Sequence, residues 1–225
     1  MNAVKAFVEM GKKKIFAGAV DWPGWCRSGR DEKSAIQALI DCGPRYAQVL
    51  QHGEIEFQVP KAVSDFMIIE RHAGDATTDF GAPAVILDSD KVPMDRVEFE
   101  RLQAILQACW QAFDSAVNRA AGRKLRKGPR GGGRELEMIL EHVLGADQVY
   151  LARLAWKHKK EAGMNPTEEL SQIRQAILNA LEVAAKGGLP EQGPRGGSIW
   201  PARYFIRRVA WHVIDHTWEI EDRVA

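Results

Sequence analysis

The sequence predicts an α+β protein in which a small N-terminal α/β domain (residues 1–92) precedes a four-helix bundle (residues 93–225). Three observations predict it. Up to about residue 92, short apolar runs alternate with turns marked by Gly and Pro. From about Pro93 onward, apolar residues recur with helical period over four segments of 20–28 residues, joined by connections of roughly 9 to 15. Charge changes at the same place, from 11 basic and 13 acidic groups in residues 1–92 to 20 basic and 17 acidic in 93–225.

Taken in order, VKAFVEM (4–10) reads as a strand, Gly11-Lys12-Lys13-Lys14 as a turn, and IFAGAV (15–20) as the second strand of a hairpin. Asp21-Trp22-Pro23-Gly24-Trp25 ends that strand. Ser28, Gly29 and Asp31 lead into DEKSAIQALIDCGPRYAQVL, whose apolar residues at 35, 36, 39, 40 and 47 have helical spacing. Gly43-Pro44 is expected to interrupt that helix. EIEFQV (54–59) and DFMIIE (65–70) read as further strands, and residues 73–93, rich in Gly, Asp, Thr and Pro, as a loop holding the apolar run AVIL. The four bundle helices are expected over 94–121, 134–157, 167–186 and 202–222. An acidic first turn opens the first of them, and Asn165-Pro166-Thr167 opens the third. Gly187-Gly188 closes the third, and Pro201 precedes the fourth.

Composition excludes several classes. At 225 residues, 45% hydrophobic and 27% charged, the chain can bury a core without disulfides and is neither collagen-like, wholly disordered nor a coiled coil. A formal net charge of +1 supplies no overall field toward nucleic acid or a membrane. No apolar run approaches the ~18–20 residues of a bilayer span. The opening MNAVKAFVEMGKKK places its lysines after the apolar stretch, the reverse of a secretory signal. Three cysteines, Cys26, Cys42 and Cys109, without CxxC spacing, point to a reduced, cytoplasmic protein.

The most visible chemistry is a set of histidines. His212 and His216 stand at i and i+4, one above the other on a helix face, where both rings can reach one cation through bonds of ~2.0–2.1 Å. Phe205, Val209, His212, His216 and Ile220 fall on one stripe, so the pair is expected to face the bundle interior. Such a pair alone arises in about one shuffled sequence in eight at this histidine count. His142, on another helix, is the third member. Three imidazoles with open positions form the donor set of a catalytic metal, not of a closed structural one.

These residues carry a family resemblance. A histidine early in the second helix (LEHVLGADQVYLARL) and HxxxH in the last (RRVAWHVIDHTWEIEDR) resemble the DinB/YfiT-like metalloenzyme superfamily over residues ~93–225. The resemblance implies a DinB-like four-helix bundle with a divalent ion (zinc, nickel, iron or manganese) on His142, His212 and His216. It also implies a reaction type: hydrolysis, isomerisation or thiol transfer involving a low-molecular-weight thiol. The N-terminal part, within residues 1–51, is similar to the HicB-like antitoxin domain through Asp21, Pro23, Gly24 and Gly29. No catalytic set is visible there, so it reads as an accessory fold.

Other features fill out the expected site. Glu219, three residues after His216, is a candidate catalytic proton acceptor or fourth ligand, with an i+4 pair to Arg223 as the alternative. A repeated GPRGG places Arg130 and Arg195 before the second and fourth helices, as candidate ligands for a substrate carboxylate or phosphate. The basic run 123–134 has no interleaved aromatics for base stacking, which argues against nucleic acid. Cys109 beside Trp110 reads as a small buried apolar residue.

The leading expectation is therefore a metal-dependent hydrolase or thiol transferase acting on a small molecule. The rival is a non-catalytic interaction protein whose histidines are structural. Dimerisation stays open, because small bundles with apolar outer faces often pair.

Overall fold

A computed structural model describes residues 3–127, 133–159, 163–193 and 197–225. The predicted hairpin is present: β1 (Val4–Met10) pairs antiparallel with β2 (Ile15–Ala19), Ala6 lying opposite Ala19 and Met10 opposite Ile15. A third strand, β3 (Cys26–Gly29), pairs antiparallel with β2. Asp21–Trp25 is thus a tight turn between paired strands. Beyond it, Asp31 caps α1 (Glu32–Asp41), its carboxylate accepting the Ser34 N–H at 2.7 Å. The chain breaks at Gly43-Pro44 as expected, and α2 (Gly43–Gln51) follows. β4 (Phe66–Ala73) then joins parallel to β1, completing a sheet of order β3-β2-β1-β4.

Two expectations about this half are corrected. EIEFQV forms no strand: residues 55–60 carry no regular secondary structure. Its apolar residues serve side-chain packing instead, Phe57 sitting 4.7 Å from Trp22, 5.0 Å from Trp25 and 5.3 Å from Tyr46, centroid to centroid. Residues 73–93 are not all loop. Asp75 caps a short helix, α3 (Ala76–Phe80), and a 3-10 turn covers Ser89–Lys91.

The helical half follows its sequence signals closely. α4 (Arg96–Ala120) starts at Asp95, whose carboxylate accepts the Glu98 N–H at 2.8 Å. α5 (Leu136–Leu151) runs into a 3-10 turn over Ala152–Leu154 and stops at Ala155, in the left-handed region with φ 53°, shorter than the periodicity predicted. α6 (Pro166–Ala185) opens with a reciprocal cap between Asn165 and Glu168. α7 (Ala202–Arg223) is the central rod, packed on α4, α5 and α6. Among the described residues no helix is long and apolar enough to cross a membrane.

One buried core runs through both halves. Trp25, Leu39 and Tyr46 belong to the same cluster as Phe99 and Phe113 of α4, Ile139 of α5, Ile177 of α6 and Val209 of α7. The other face of the sheet presents Phe7, Phe16 and Cys26 to Leu87 and to Trp211 of α7. The DWPGW turn docks on the same helix, and there glycine is required. Gly24 has φ 90°, and a Cβ added to it would come within 2.5 Å of Ile214 Cδ1. Segment 82–91 is pinned between sheet and helix by buried charge. Glu9, with no exposed surface, accepts the Thr78 hydroxyl at 2.5 Å and the Ala84 N–H at 3.0 Å. Arg207 of α7 donates to Asp90 at 2.5 Å and to the Val85 carbonyl at 2.9 Å. These contacts fix the rotation of α7, and with it the direction of its histidines.

Candidate metal centre

The stripe expected along α7 is buried throughout: Phe205, Val209 and Ile220 are at most 1% exposed, and His212 and His216 are 7% exposed. α5 brings His142 to meet them from its own more open position. One ligand nitrogen from each ring lies within 4.8 Å of the others. His142 Nε2 and His212 Nε2 are 3.2 Å apart. Two nitrogens bound at ~2.05 Å to one ion are separated by about 2.9 Å in octahedral and about 3.4 Å in tetrahedral geometry. The observed gap lies between these values, so His142 and His212 are spaced as two ligands of one cation, with a His216 nitrogen within 4.8 Å of both. It is also an awkward set without one. Neither ring charges easily, so the pair relies on a single shared proton, and His212 Nδ1 is buried without a partner.

The surroundings favour neutral imidazoles. Burial, then repulsion from His216, His142 and Arg208, holds His212 well below the usual histidine range. Burial and the neighbouring His216 and Arg134 lower His142 in the same sense. Metal ligation needs these lone pairs free of protons.

Glu219 makes the expected i+4 pair with Arg223 and, in place of joining the three nitrogens as a fourth donor, meets His216 from behind. Oε2 meets His216 Nδ1 at 2.8 Å, and Oε1 accepts from Arg223 Nη1 at 2.7 Å. The bond to His216, with the Arg223 charge, keeps its carboxyl below the ordinary range. It therefore stands on the far side of the ring from Nε2, where a carboxylate orients a ligating imidazole. Arg223 is held in turn, its Nε donating to the Arg126 carbonyl at 2.8 Å. Gly133 closes over it at φ 133°, where a Cβ would fall 2.5 Å from Arg223 Nη2.

No protein-family model, curated protein or solved structure matches this chain. The site must therefore be read from its own residues.

Arg130 and Arg195 lie outside the described residues. Cys109 is fully buried, and burial pushes its thiol far up, as befits a core residue and not a nucleophile. Glu70, His72 and Asp88 also cluster. There Glu70 already accepts the Asp88 and Ser89 N–H groups at 2.7 and 3.0 Å and contacts His72, which makes it a turn-capping carboxylate.

Three residues that sequence reasoning passed over line the histidines. The Tyr150 ring stands edge-on to His212 at 5.7 Å, and Trp200 packs on Tyr150 at 5.5 Å. Arg208, one turn before His212, lies with Cζ 5.7 Å from the Tyr150 ring and 5.0 Å from the Trp211 ring. The i−4 spacing from His212 was the available signal for Arg208. Tyr150 and Trp200 carried none.

Proposed function

We propose that this protein is a divalent-metal-dependent enzyme of the DinB-like type, a hydrolase or thiol transferase whose ion is held by His142, His212 and His216. The observation that carries the reading is the convergence of three imidazoles from two helices on one point, with a carboxylate meeting one of them from behind. The order of elements supports it: four long helices, with one histidine early in the second and an HxxxH pair in the last. A divalent ion held there supplies Lewis acidity that brings a bound water or thiol toward deprotonation near neutral pH. The protein's own contribution is to disfavour protonation of His142 and His212, to aim His216 through Glu219, and to wall the site with Tyr150, which Trp200 backs. The substrate in this reading is a small molecule, with a low-molecular-weight thiol as co-substrate in the transfer reaction.

The test is elemental analysis of untagged protein before and after chelation, together with its melting temperature. One equivalent of divalent metal, its loss on chelation, and a fall in melting temperature are expected, because an ion bound only to the native state stabilises it. His216→Ala should abolish stoichiometric metal. A folded wild type that takes up no zinc, nickel, iron or manganese would leave the histidines with a structural role and overturn the reading.

A further inference from the structure

We propose that Arg208 forms an anion subsite beside the three histidines, so that the molecule acted on carries a carboxylate or phosphonate-like acid group next to an apolar body; this rests on the metal reading above. The three donors are imidazoles, which bring no negative charge, and no carboxylate joins them in the set. A divalent ion there keeps its full charge in a partly buried site. Arg208, one turn before His212 and beside the Tyr150 and Trp211 rings, adds to that charge. Glu219, the nearest acid, is shared with Arg223 and turned to the back of His216. Charge balance then has to come from what binds.

Arg208 is placed to help. Its neighbours on α7 are neutralised, Arg203 by Glu98 and Arg207 by Asp90. Arg208 is half-buried and, among the described residues, has no carboxylate at ion-pair distance, Asp75 acting on it only from farther off. Nη1 donates to the Pro83 carbonyl at 2.9 Å, and the guanidinium also meets the Tyr150 hydroxyl, so both partners are neutral and its charge is left for an anion. Tyr150 and Trp200 supply aromatic walls on the same side, since the Tyr150 ring touches both His212 and the guanidinium. An acid group on the arginine with an apolar body against the rings would bring the rest of the molecule to the ion.

The experiment uses the full chain loaded with Co2+, whose visible spectrum reports the coordination sphere independently of any activity. Benzoate and phenylphosphonate, which share a ring and differ in the acid, are titrated into wild type, Arg208→Gln and Arg208→Lys. Both variants should bind Co2+ as wild type does. Arg208→Gln should weaken binding of the preferred acid by about tenfold to a hundredfold, the loss expected for a charged hydrogen bond. Arg208→Lys, which keeps the charge without the fork, should fall between. The probe that loses more identifies the acid. Equal anion affinity in wild type and Arg208→Gln, with the Co2+ spectrum intact, would overturn the subsite while leaving the metal centre standing. Wild type that gives no Co2+ spectrum would overturn both.

Discussion

Asp147 offers the sharpest test of how this core handles charge. It lies on α5, 1% exposed, and neither carboxylate oxygen has a partner among the described residues. The nearest cation, Arg174 of α6, is already engaged, Nη1 donating to both oxygens of Asp114 at 2.7 and 2.8 Å. Burial therefore dominates and raises the carboxyl from an ordinary 3.8 to about 7. A carboxyl raised in the folded state favours folding when protonated. That contribution is whole below pH ~4 and is lost as pH climbs through about 7. At ~1.4 kcal/mol per pH unit, the swing is at most about 4 kcal/mol, less whatever a buried water recovers. Asp147→Asn removes the titration and keeps the shape. Urea unfolding of both proteins from pH 4.5 to 8 should show the variant gaining on wild type as pH rises, by up to about 4 kcal/mol at pH 8. A stability difference that stays constant across that range would refute the argument, because Asp147 would then be ionised and solvated throughout.

Glu219→Gln keeps the side-chain length but removes the charged acceptor behind His216. On the metal reading, divalent-ion affinity should fall about tenfold to a hundredfold, with far-UV circular dichroism unchanged. Competition with a chromophoric chelator measures it. Arg207→Leu would strand Asp90, 6% exposed, with the Leu87 N–H as its remaining partner. It should cost about 3–5 kcal/mol in urea unfolding, as breaking a buried pair does.

Much of this molecule could be read directly from local sequence. Helix starts were legible because Asp31, Asp95 and Asn165 carry their own capping chemistry within three residues of the N–H groups they satisfy. The α7 stripe was legible because a 3.6-residue period puts Phe205, Val209, His212, His216 and Ile220 on one side wherever the helix packs. The missing strand at 54–59 shows the limit of the same logic. Alternation says that one face is apolar, but not whether a neighbouring strand or an aromatic cluster covers it. β3 shows the reverse case: four residues, Cys26-Arg27-Ser28-Gly29, with almost no pattern become a strand because β2 offers a free edge.

The amino-acid sequence by itself determined which segments coil, where they begin, and that two of them carry imidazoles on an inward face. Those are properties of spacing and of neighbours a few positions away. Only the tertiary structure decided that His142 reaches His212 and that Arg208 lacks the paired acid its neighbours on α7 have. Each of these depends on side chains brought together from opposite ends of the chain, by a helix whose rotation is set by Gly24, Asp90 and the sheet it packs against.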